Sequence, residues 1–84
     1  MSACAAQNFT NVNENVWNCL VQQAAQIGVQ IPGPQGCASA QGFTVCWNWN
    51  SGAQTLMVQC TDSPWWAPCS TINNAIQELV GKCL

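Results

Sequence analysis

Seven cysteines, at positions 4, 19, 37, 46, 60, 69 and 83, constrain this chain more than any other feature. With 84 residues it has room for one domain, spanning 1–84. An interior of that size is near the lower limit at which burial alone outweighs chain entropy, so cross-links are expected. Small exported domains carry cysteine at this density, whereas cytosolic chains use it chiefly for metal or redox chemistry.

The spacing argues against metal. Zinc modules usually hold at least one ligand pair separated by two to four residues. Here the tightest spacings are Cys37 to Cys46 and Cys60 to Cys69, each with eight residues between, and histidine is absent. No metal or other cofactor is expected. A thiol-redox site would want a Cys-x-x-Cys pair, and only Cys69, just before a helix, hints at one. A reduced cytosolic thiol-redox or metal-binding protein is therefore kept as an alternative.

The odd cysteine has three uses: a buried thiol, an intermolecular bridge that makes a homo-oligomer, or a reactive nucleophile. The last lacks a histidine to activate it. Side-chain direction narrows the pairings. Cys19 lies opposite the apolar stripe of its helix, so the arm bearing Cys4 is its nearest partner. Cys37 can fold over Cys46. Cys60 points inward and can meet either Cys83 or Cys69. Cys69 and Cys83 lie about 21 Å apart along one helix and cannot meet.

Charge scarcity is the second constraint. Only 5% of residues are charged, against about 25% in ordinary domains. Roughly 19 Asn and Gln, with Ser and Thr, must supply the polar surface. A net charge of −2 gives little repulsion between copies, so self-association is expected to be easy. Lys82 is the only cation, which excludes nucleic acid and anionic lipid as charge-driven partners. No apolar run approaches the ~20 residues of a transmembrane segment. The opening "MSACAAQNFT" has no signal-peptide pattern. With the cysteines, this predicts an extracellular or periplasmic protein whose export signal has been removed, the alternative being cytoplasmic.

Acid–base catalysis has little to draw on. Glu14, Asp62, Glu78, Lys82, the thiols and the termini are the whole titratable set. Phosphate-binding glycine motifs and a histidine-based triad are missing. The chain does not read as an enzyme.

Periodicity predicts a helix over 11–28, with Asn11 and Glu14 as a capping box and Gly28 as the stop. Trp17, Leu20, Val21 and Ala24 form its apolar stripe. Residues 1–10 are an arm, and "VQIPGPQG" is a connector. Strands at 42–50 and 53–61 form a hairpin about a Ser51-Gly52 turn, pairing Trp47 with Leu56, Val45 with Val58 and Phe43 with Cys60. A second helix covers 70–82, with Ser70 as N-cap. The predicted fold is a small disulfide-stapled α+β domain in the order helix–strand–strand–helix. Both helices are expected on one face of an antiparallel β-hairpin.

Five tryptophans are many for this length. Trp17 and Trp47 fall on core-facing positions. Trp65 and Trp66 lie in "CTDSPWWAPC", where neighbouring side chains of an extended segment point opposite ways. One reading is a lid, with one tryptophan closing the open end of the hairpin and the other resting on the connector; the other reading is an exposed platform. An exposed aromatic pair among uncharged amides suits stacking on a sugar, a lipid or a protein partner. Trp49, Asn48 and Asn50 at the hairpin tip offer a second such cluster. Asn8-Phe9-Thr10 matches a glycosylation sequon. The expected function is a small exported, non-enzymatic binding or surface-interaction module for carbohydrate, lipid or protein, centred on Trp65, Trp66, Trp49, Asn48 and Asn50. The alternative within the same compartment is a self-associating structural subunit.

Overall fold

A computed structural model describes residues 3–84. Its elements are β1 (Gln7–Phe9), α1 (Glu14–Gln26), β2 (Gln35–Ala40), β3 (Phe43–Asn50), β4 (Thr55–Asp62) and α2 (Cys69–Gly81). The strands form one antiparallel sheet in the order β1-β4-β3-β2. The α+β class and the central hairpin stand. The two outer strands correct the expected two-stranded sheet.

Both missed strands lack the usual strand signal. β2 reads QGCASA, all small or polar residues with low strand propensity. It becomes a strand because Gln41-Gly42 turn it back on β3, both with positive φ (54° and 86°), as a tight two-residue hairpin requires. Gly36 gives the Trp47 indole room there: a Cβ on it would lie 3.3 Å from the ring, a tight contact. The Trp47 Nε1–H donates to the Gly33 carbonyl at 2.9 Å, which fixes the preceding connector as well. β1 is three residues of the expected arm, paired on the free edge of β4 from Gln7 opposite Val58 to Phe9 opposite Leu56.

The β3–β4 turn is four residues long rather than two, and Asn50 pairs with Thr55. Asn50 Oδ1 accepts the Ala53 N–H at 3.1 Å, and Gln54 takes φ 56°. Trp47 therefore faces Val58, Trp49 faces Leu56 and Val45 faces Cys60. The shift from the expected register is two residues. An even slip leaves every side chain on its predicted face.

The first helix is shorter than predicted. Asn13 is its N-cap, its Oδ1 accepting the Val16 N–H at 2.9 Å. Asn11 lies outside, with φ 60°. At the far end the Val29 N–H reaches the Ala24 carbonyl and the Gly28 N–H the Ala25 carbonyl, with Gly28 at φ 87°. This is the Schellman pattern, for which glycine is the favoured residue. α2 begins one residue early: Pro68 occupies the cap position without a side-chain bond, and Ser70 lies inside the helix.

Three disulfides form, Cys4–Cys69, Cys19–Cys83 and Cys37–Cys46, and Cys60 is a buried free thiol. The Cys37–Cys46 pairing is as expected, the two residues standing directly opposite on β2 and β3. The other expected pairings are replaced. Cys19 is half-buried rather than facing outward, and it meets Cys83 just beyond α2. That leaves Cys4 for Cys69. In the chain-entropy picture each long bridge stabilises more than the local one.

The main buried cluster joins Val12, Trp17 and Leu20 to Trp47, Leu56 and Val58 of the sheet and Val80 of α2. A second gathers Cys4, Cys60, Ala67 and Ile72. The helices make little contact with each other, and their apolar faces do not close fully over the sheet.

Candidate functional site

The incomplete closure leaves a groove of about 890 Å³ between the helices and the apolar face of the sheet. Beneath it lie Trp47, Leu56 and Val58 of the buried cluster, themselves covered, with Val45 half-buried beside them. One wall is α1 from Trp17 to Ile27, and the other is α2 from Thr71 to Val80. The Trp66–Pro68 loop and the Ala40-Gln41 turn complete its rim. Four lining residues are alanines, at 24, 40, 67 and 75. Ala24 and Ala67 are buried, whereas Ala75 is exposed on the wall.

The lining is uncharged. None of Glu14, Asp62, Glu78 or Lys82 reaches it, and Gln26, Gln41 and Thr71 are its polar members. The amphipathic stripe of α2 is only partly covered: Ile72 and Val80 are buried, while Ile76 and Leu79 are half-buried and Ala75 is exposed. On α1, Ile27 lines the groove and remains 61% exposed. Exposed aliphatic carbon on both walls is what an apolar ligand would cover.

The adjacent tryptophans lie in a turn rather than an extended segment, and both are exposed. Trp66 lines the groove, its ring edge-on to Phe43 with centroids 5.9 Å apart and planes at 89°. It is still 62% exposed, and Trp65 is 89% exposed. The Ala67 N–H closes a turn on the Pro64 carbonyl, and Ser63 is buried beneath. Pro64 rests against Gly42, where a Cβ would come within 3.2 Å of its ring.

The hairpin-tip residues are not brought together. Trp49 is half-buried and stacks on Trp17, with centroids 4.9 Å apart and planes 8° from parallel. Its Nε1–H donates to the Val12 carbonyl at 2.8 Å. Asn48 and Asn50 lie exposed on the opposite face, the latter engaged in the turn. Alternation along β3 separates them.

A second hollow, of about 560 Å³, is lined by Asn8, Phe9, Thr10, Asn11, Asn13, Val16 and Leu84. The Asn13 Oδ1 already accepts the Val16 N–H of the helix cap. Among the described residues no group of His, Cys, Asp or Glu is arranged to hold a metal ion, and no helix is long and apolar enough to cross a membrane. Three disulfides are compatible with an oxidising extracellular setting.

The fold and groove define a class: a disulfide-bonded α+β domain with an open apolar cleft over its sheet. The chain matches no protein-family model, no curated protein and no solved structure.

Sequence reasoning singled out Trp66 but missed Ile27, Ala40, Ala75 and Leu79 as groove residues. The second helix offered a signal. Ile72, Ala75, Ile76, Leu79 and Val80 recur there at helical spacing and mark an apolar face.

Proposed function

We propose that this protein is an exported, non-enzymatic binding module that takes an apolar, uncharged ligand of the lipid class in the groove between its helices and sheet. The observation that carries this reading is the uncharged lining of a cleft about 890 Å³ in volume, within the ~300–1,000 Å³ range of small-molecule sites. A ligand bearing charge would find no counter-ion there, and a sugar would leave most hydroxyls without partners. Trp65 and Trp66 are the side chains a lipid surface meets first, since indole favours the boundary between apolar and wet surroundings.

Titration with 1-dodecanol, followed by tryptophan emission, tests the reading. Saturable blue-shifted emission is expected from the wild type. Ala75→Glu places a carboxylate on an exposed helical position of the groove wall, and should weaken binding while the fold is retained. Unchanged emission in the wild type, or equal binding by the variant, refutes the proposal.

A second reading uses the same surface: the groove is covered by another copy of the chain, which the scarcity of charge would allow. Light scattering across a dilution series separates the two. A strict monomer at high concentration removes the self-associating subunit.

A further inference from the structure

Cys60 carries a thiol that no disulfide uses, and it is fully buried. It packs with Cys4, Ala67 and Ile72, and Cys69 rests against the same cluster. A thiol and the Cys4–Cys69 disulfide thus share one small buried cluster. The Cys4 N–H donates to the Cys60 carbonyl at 2.8 Å. That hydrogen bond holds the two main chains side by side, the proximity a disulfide between them requires.

We propose that Cys60 is the resident nucleophile of an internal disulfide exchange that replaces Cys4–Cys69 with Cys4–Cys60 and unties the first residue of α2 from the N-terminal arm. Cys60 Sγ loses its proton to water and attacks Cys4 Sγ. The new S–S bond forms as the Cys4–Cys69 bond breaks, and the electron pair leaves on Cys69 Sγ, which then takes up a proton from water. One thiol and one disulfide stand on each side of the step, so neither oxidant nor reductant is needed.

The departing sulfur favours this direction. Cys69 is the first residue of α2, and a thiolate there faces the N-terminal end of the helix dipole, which stabilises negative charge and makes a better leaving group. In the closed form the Cys60 thiol is directed at the Asp62 carbonyl, 3.2 Å away. Attack therefore waits on local opening of the arm or of the 63–68 loop.

The exchange has a consequence that rests on the groove reading. Pro68, Thr71 and Ile72 form part of the groove wall beside Cys69, and release of the tether lets that wall move. The sulfur chemistry stands or falls independently of any ligand.

Native labelling with N-ethylmaleimide, acid quenching and disulfide mapping by mass spectrometry test it. In the wild type the label should reach Cys69, accompanied by a Cys4–Cys60 bridge. Cys60→Ala should keep Cys4–Cys69 and take no label. Cys69→Ser should still form three bridges, now including Cys4–Cys60, and keep no free thiol. Label confined to Cys60, no label without denaturant, or a Cys69→Ser protein retaining both Cys4 and Cys60 as thiols overturns the proposal. The wild-type labelling decides the matter even if the Cys69 variant fails to fold. Mapped exchange with no dodecanol binding would leave the exchange intact and remove only its link to the groove.

Discussion

Replacing Cys19 and Cys83 together by alanine removes the bridge between the middle of α1 and the residue just beyond α2. Its cost can be worked from the connectivity. The two cysteines are 64 residues apart, but Cys4–Cys69 shortens the path in the unfolded chain. The route runs from 19 back to 4, across that bridge, and on from 69 to 83. A loop of about 29 residues gives ~3.6 kcal/mol in the chain-entropy model. The Cys37–Cys46 bridge closes a separation of 9 residues, worth about 2.6 kcal/mol on the same scale. Urea unfolding followed by tryptophan fluorescence, extrapolated to zero denaturant, measures both. Cys19→Ala/Cys83→Ala should lose roughly 1 kcal/mol more than Cys37→Ala/Cys46→Ala. If the local bridge proves as costly as the long one, restriction of the unfolded chain is not what these cross-links contribute.

Asn13→Ala should cost about 1 kcal/mol through the lost helix cap, whereas Asn11→Gly should be neutral or slightly stabilising because Asn11 has φ 60°; paired urea curves distinguish the two asparagines. Trp49→Phe should cost roughly 1–3 kcal/mol, since it weakens the stack on Trp17 and leaves the Val12 carbonyl without its indole donor. The same variant should bind dodecanol like the wild type in the titration above, because Trp49 does not line the groove.

Alternation and helical spacing made the centre of the fold legible. The stripe of Trp17, Leu20 and Ala24, and the separation of Val45 and Trp47 from Cys46 and Asn48, follow from side-chain geometry within single elements. Those faces survived a register error because the error was even. Strand β2 was not legible, because Gly36, Ala38 and Ser39 carry no strand preference of their own. The packing of Trp47 and the Gln41-Gly42 turn decide that segment. The disulfide partners of Cys4 and Cys19 were lost for a similar reason. They depend on where the end of α2 passes α1, which no local pattern encodes.

The candidate site divides along the same line. Trp65 and Trp66 stood out because two large apolar residues are hard to bury from adjacent positions of an extended segment. The groove that Trp66 borders could not be read, since its lining comes from both helices, the sheet and the 66–68 loop, segments far apart in the chain. What this sequence determined by itself is a small, sparsely charged, cross-linked α+β domain with apolar faces on both helices. The tertiary structure alone decided that those faces do not meet the sheet completely, because the fit between separate surfaces depends on how they are placed in space and not on the pattern within either one.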